Sequence, residues 1–165
     1  LVQWAFANGC PRFGRAPAWT RTWSNAETGR WRKANNSCPI DAETIAVSGS
    51  LDALQWARAN GCAWDERTCS GAAAFGHLHV LRWARVNGCA WDEQTCRMAA
   101  RHGHLTLLQW ARANRCPWDP QTCSAAAEGG HIELLAWARA AGCPWDARTT
   151  QRAAAAGSLA ALRWA

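Results

Sequence analysis

Through the middle of the chain, apolar and polar residues return at helical spacing. Leu78, Val80, Leu81, Trp83 and Ala84 fill a wide apolar arc, which suits a helix sandwiched between neighbours. That arc leaves a narrow outer strip of His79, Arg82 and Val86, matched one unit later by Thr106 and Gln109. A second helix-forming stretch precedes each such arc. In it Thr68, Ala72 and Ala73 recur as Thr95, Ala99 and Ala100, then as Thr122, Ala126 and Ala127. Residues this small at constant positions predict a core where helices approach closely. The positions between them change freely, and their spacing of i, i+3, i+4 and i+7 places them on one helix face. They are Arg67, Ser70, Gly71 and Ala74, then Gln94, Arg97, Met98 and Arg101. The next two sets are Gln121, Ser124, Ala125 and Glu128, and Arg148, Gln151, Arg152 and Ala155. No strand pattern occurs, so the expected fold is all-α, a solenoid of αα-hairpins.

The helix ends are punctuated. Asp65, Asp92, Asp119 and Asp146 stand where an N-cap is needed, and Asp119 is followed by Pro120, which is preorganised for a first helical position. The first helix is expected to run to about Phe75 and to end at Gly76. The second begins near His77 and stops at Asn87-Gly88, because glycine accepts the left-handed conformation that closes a helix. Arg115 replaces that glycine in one unit, which predicts strain at that one turn.

These elements recur with a fixed period. Trp56, Trp83, Trp110, Trp137 and Trp164 stand 27 residues apart, as do Cys62, Cys89, Cys116 and Cys143. A period between about 20 and 50 residues marks a repeat array whose units pack on their neighbours. The regular units are 65–91, 92–118 and 119–145. Residues 41–64 form a shortened unit with a clipped first helix, and 146–165 form a truncated one. Residues 1–11 match the second half of a unit. Residues 12–40 form a degenerate unit, expected to be poorly ordered in part. The start at Leu1 and the stop at Ala165 both fall inside units, which predicts a piece of a longer array.

Composition narrows the functional classes. The net charge is +6, but it is concentrated at one end. Residues 1–40 carry Arg12, Arg15, Arg21, Arg30, Arg32 and Lys33 against Glu27, whereas residues 41–165 carry twelve Arg against eleven acids. A nucleic-acid binder shows a net basic face, so that reading is confined to residues 12–33. No apolar run approaches the ~20 residues of a membrane span. Nine cysteines, most at two fixed positions of a helical repeat, predict small buried thiols in a reduced compartment. That places the chain in the cytoplasm or nucleus.

Cys62 and Cys69 are seven apart, and structural zinc usually takes more closely paired ligands, so a metal site is not expected. His77, His104 and His131 open successive second helices, but Ser50 and Ser158 replace them elsewhere, which argues against a catalytic histidine. Two tryptophan columns run along the array. The second-helix set is expected in the core. Trp64, Trp91, Trp118 and Trp145 precede the capping aspartates, where an apolar residue can staple a helix start. Arg58, Arg85, Arg112 and Arg139 form a further constant column, expected to pair with the aspartates between units.

The stretch Gly76-His77-Leu78-His79-Val80-Leu81 to Cys89 resembles the second helix of the ankyrin repeat, and Gly130-His131-Ile132-Glu133-Leu134-Leu135 is the closest match. Thr68, Ala72-Ala73 and Gly76-His77 resemble that family's first-helix spacing, one residue short. The unit is shorter than the family's, mostly where the β-hairpin finger would lie. The chain is thus similar to a fingerless ankyrin variant, of the Trp- and Cys-rich kind found in giant viruses and some protists. If it is viral, it would act in the host cytoplasm. The resemblance implies a monomeric, non-catalytic scaffold without cofactor that binds another protein. Its binding residues, read from the first-helix positions that vary between units, would be Arg67, Ser70, Gln94, Arg97, Met98 and Arg101, continued by Gln121, Ser124, Glu128, Arg148, Gln151 and Arg152. The alternative it implies is the substrate-recognition arm of a ubiquitin-ligase adaptor whose F-box lies outside this sequence. Nucleic-acid binding through 12–33 is the third reading.

Overall fold

The chain folds as an all-α solenoid of helical hairpins. Its computed structural model describes residues 42–59 and 61–157. The units expected at 1–11 and 12–40, the basic segment 12–33 and the last eight residues lie outside the described residues. In chain order the helices are α1 (Ala42–Val47), α2 (Leu51–Ala59), α3 (Glu66–Ala74), α4 (Leu78–Val86), α5 (Glu93–Arg101), α6 (Leu105–Ala113), α7 (Pro120–Glu128), α8 (Ile132–Ala140) and α9 (Ala147–Ala155). No strand occurs among the described residues. The odd-numbered helices are the first of each hairpin and the even-numbered ones the second. The clipped first helix of the unit at 41–64 is α1, of six residues against nine in the others.

The caps form where the sequence places them. Asp65, Asp92 and Asp146 each accept a hydrogen bond from the backbone N–H two residues on, at 3.0 Å. Asp119 instead closes a full capping box with Thr122. These bonds satisfy donors that a helix start otherwise leaves open. At the other end, Gly76 takes φ +73° and turns the chain into α4. A side chain there would also collide with the His104 ring, which lies under 3 Å from where its Cβ would stand. Glycine is therefore required twice over, once by conformation and once by the neighbouring unit.

That histidine ring is a tie between units. His77 Nε2 lies 3.0 Å from the Val47 carbonyl, His104 Nε2 3.1 Å from that of Ala74, and His131 Nε2 3.1 Å from that of Arg101. Each carbonyl is the last of the preceding unit's first helix, a group that no intrahelical N–H can reach. The ring nitrogen donates to it and locks one hairpin to the next.

First helices pack continuously on one another, α1 on α3, α3 on α5, α5 on α7 and α7 on α9, whereas successive second helices touch sparingly. The cause is side-chain size. The first helices meet through Thr68, Cys69, Ala72 and Ala73 and their equivalents in α5 and α7, all fully buried, continued in α9 by Thr149 and Ala153. The second helices carry the larger, half-buried tryptophans. Between the layers lies one continuous core, built on Leu54, Val80, Leu81, Leu108, Leu134 and Leu135.

The cysteines join that core. Cys69, Cys89, Cys96, Cys116, Cys123 and Cys143 are buried free thiols. Cys89 donates its S–H to the Asp65 carbonyl at 3.3 Å, and Cys116 repeats the contact with Asp92. Hydrogen bonding to Cys89, then burial, pushes the Cys69 thiol up, and the same two causes act on Cys116 through Cys96 and on Cys143 through Cys123. Cys69, Cys116 and Cys143 therefore stay protonated, whereas the same hydrogen bonds lower their partners Cys89 and Cys123. Cys62 departs from the all-thiol expectation, being equally buried but disulfide-bonded.

Candidate functional site

The variable face of the first helices is the expected binding surface, and its residues differ in how far the packing leaves them accessible. Arg67, Arg101, Gln121, Arg148, Gln151 and Arg152 are exposed. Gln94, Arg97, Met98 and Glu128 are half-buried, because the adjoining first helix shields one flank of each. Ser70 and Ser124 are buried, with 8% and 2% of their surface accessible. Their hydroxyls donate back to the carbonyls of Arg67 and Gln121 in their own helices, at 3.2 and 3.0 Å. The i+3 position of this face looks into the seam between neighbouring first helices, which a helical-wheel reading cannot show.

Across α5, α7 and α9 this face closes into a groove of about 180 Å³. Gln94, Arg97, Met98 and Arg101 come from α5, Gln121, Ser124, Ala125 and Glu128 from α7, and Arg152 from α9. Eight of the twelve predicted residues thus converge on one place. Arg67 and Ser70 lie on α3 and Arg148 and Gln151 on α9, and none of the four lines it. The volume admits one or two side chains and is below the roughly 300 Å³ at which small-molecule pockets begin.

Charge is arranged in two clusters. At one end Arg97 reaches Asp119 at 2.9 Å through Nη2 and Gln94 at 2.8 Å through Nη1. Its Nε is buried and meets no acceptor. Asp119 is therefore both helix cap and ion-pair partner, a second role the sequence reading missed. No sequence signal marks that role, because the positions equivalent to Arg97 are Ser70, Ser124 and Gln151. At the other end Glu128 sits between Arg101 and Arg152, each 2.5 Å from one of its two oxygens. The Arg101 hydrogen bond, then that from Arg152, holds its carboxyl below the usual range against the opposing cost of burial. Each arginine uses a single nitrogen on Glu128.

The second-helix strip of His79, Arg82, Val86, Thr106 and Gln109 is exposed as expected, and none of it lines the first-helix groove. The constant arginines differ from expectation. Arg58, Arg85, Arg112 and Arg139 lie 4.4, 4.2, 4.1 and 5.2 Å over the rings of Trp64, Trp91, Trp118 and Trp145. Arg85 and Arg112 also donate to the carbonyls of Cys89 and Cys116. The expected pairing with aspartates between units gives way to a stack inside each unit, because the turn puts the indole face beneath the guanidinium. The turn tryptophans in turn meet Trp83, Trp110 and Trp137 edge to face, with ring centres 5.7 to 6.0 Å apart. Both tryptophan columns are half-buried, so the second-helix set lies at the margin of the core and not inside it.

Among the described residues no group of three or more metal-ligating side chains gathers, and no helix is long and apolar enough to cross a membrane. No family model matches the chain, and no curated protein does. Among solved structures the chain is similar to the pentatricopeptide repeat protein PPR10 in complex with an 18-nt psaJ RNA element. That likeness has 15% sequence identity and a TM-score of 0.47, and it covers 98% of this chain. The chain spans 30% of the length of that protein.

Proposed function

We propose that this array is a non-catalytic scaffold, ankyrin-like in its repeats, that binds another protein through the groove formed by α5, α7 and α9. The observation that carries this reading is convergence. Positions that vary between units come together at one site, while the residues behind them are constant and fully buried. A scaffold with a tailored face has this form, since each unit contributes to the surface without disturbing the packing. Caps, histidine ties and Arg–Trp stacks fix the backbone beneath the groove, so binding would cost little ordering entropy.

The test is affinity capture from cell extract with two baits. One is this chain. The other carries Gln94→Ala, Arg97→Ala, Arg101→Ala, Gln121→Ala and Glu128→Ala together, with circular dichroism confirming unchanged helicity. A protein retained only by the first bait supports the reading. A protein retained equally by both moves the site to the second-helix strip or to residues 1–41. Ubiquitin-ligase components captured with the first bait would identify the array as a substrate-recognition arm. Capture of nucleic acid alone, lost steeply with salt, would replace the protein reading.

A further inference from the structure

The reading just given leaves the partner's chemistry open, and the groove itself constrains it. We infer that the groove receives an acidic protein segment, and that Glu128 is a resident stand-in for the carboxylate such a segment would bring. This rests on the groove being a protein-binding site.

The argument starts from the Arg101–Glu128–Arg152 cluster. Two guanidiniums from different units, α5 and α9, converge on one carboxylate from the unit between them. The arginine side chains keep 43% and 48% of their surface accessible. Each contacts Glu128 through one nitrogen, whereas a guanidinium presents five N–H donors in a fork suited to bidentate carboxylate. The cradle is therefore a carboxylate receptor whose outward edges remain open to solvent. An entering Asp or Glu can add to those edges or displace Glu128.

The rest of the groove agrees. Arg97 adds a third guanidinium to the lining, with 28% of its side chain accessible. Met98 and Ala125 provide an apolar floor beside the charges. With Asp119 paired to Arg97 and Glu128 shared by Arg101 and Arg152, three guanidiniums meet two carboxylates, which leaves one net positive charge at the Glu128 end within units that are otherwise balanced. That balance favours a short acidic protein segment over a nucleic acid, whose affinity comes from many basic contacts along its backbone. The volume points the same way, because it fits one carboxylate side chain and an apolar neighbour. The cluster is also local. The positions equivalent to Arg101 and Glu128 are Ala74 and Ala155 in the flanking units, so it is not a by-product of the repeat.

The experiment is selection of a random peptide library on the whole chain, followed by titration of the winners against Glu128→Gln and the double variant Arg101→Gln/Arg152→Gln. Circular dichroism confirms that both variants stay folded. The expected winners carry Asp or Glu beside an apolar residue. Glu128→Gln should tighten them several-fold, because it removes the competing carboxylate. The double variant should weaken them by roughly tenfold or more, the loss of one or two charge-assisted hydrogen bonds. Winners without acidic residues that are lost when Met98→Ala and Gln121→Ala are introduced would overturn this inference and leave the groove reading standing. Winners indifferent to every groove variant, or no winners at all, would overturn both. A random-sequence RNA that binds tighter than the winning peptides, and is lost in the double variant, would overturn the acidic-segment inference in favour of nucleic acid.

Discussion

Arg115 offers a clean test of the repeat logic. It sits at φ +64°, in the turn where Gly61, Gly88 and Gly142 hold φ values of 78°, 82° and 81°. The left-handed conformation costs a residue with a Cβ about 1–2 kcal/mol. Arg115→Gly removes that strain. It also frees the unfolded chain, which takes back about 0.5–1 kcal/mol. The net expectation is a gain of about 0.5–1 kcal/mol, or a rise of roughly 1–4 °C in Tm for a chain of this size. The reverse substitution one unit earlier isolates the backbone effect. A Cβ at Gly88 would meet nothing within 4 Å, so Gly88→Arg introduces strain without collision and should lower Tm by a similar amount. Differential scanning calorimetry of both variants is the assay. If Arg115→Gly leaves Tm unchanged or lowers it while Gly88→Arg is neutral, the turn does not impose the left-handed conformation and the reasoning fails.

Further outcomes follow from the same geometry. Leu108→Ala, in a fully buried position, should cost about 3–5 kcal/mol in urea unfolding, since the flanking helices cannot collapse onto the cavity. Asp119→Ala should cost about 1–2 kcal/mol, more than Asp65→Ala, because it removes a capping box and also leaves Arg97 half-buried without its ion pair; equal costs would deny Asp119 its second role. Glu128→Gln should lower stability by only about 0.2–1 kcal/mol at neutral pH, because its partners are nearly half exposed and solvent screens the pairs. The folded carboxyl is depressed, so that contribution is complete above the ordinary value of 4.5 and is lost as pH falls below it. Thermal melts of wild type and variant should therefore differ at neutral pH and converge as the pH falls below 4.5 and through the depressed value.

The helices were legible in the sequence because their ends are chemically marked. The Asp119-Pro120 pair fixed the start of α7, and Asn87-Gly88 fixed the stop of α4. The small constant residues Ala72, Ala73, Ala99 and Ala100 announced the seam between first helices, since only small side chains permit that approach. What could not be read is what depends on the offset between units. Arg101 and Glu128 stand 27 residues apart, Glu128 and Arg152 24 apart, and Arg97 and Asp119 22 apart. Helical periodicity places each residue around its own axis but does not say which neighbour it will face across the seam. The same limit hid the burial of Ser70 and Ser124. The Arg–Trp stacks escaped for another reason, in that the constancy of Arg85 and Trp91 was visible but the turn that brings guanidinium over indole was not.

The central claim, that the groove of the first helices is where a partner sits, is tested most directly by placing a photocrosslinker on each face of the array. Benzoylphenylalanine replaces Gln121, which is exposed and lines the groove, and in a second protein Gln109, which is exposed on the second-helix strip. Both are irradiated in cell extract. The account predicts a discrete crosslinked protein from position 121 and none from position 109. A crosslink from position 109 alone would contradict it and place recognition on the second-helix strip.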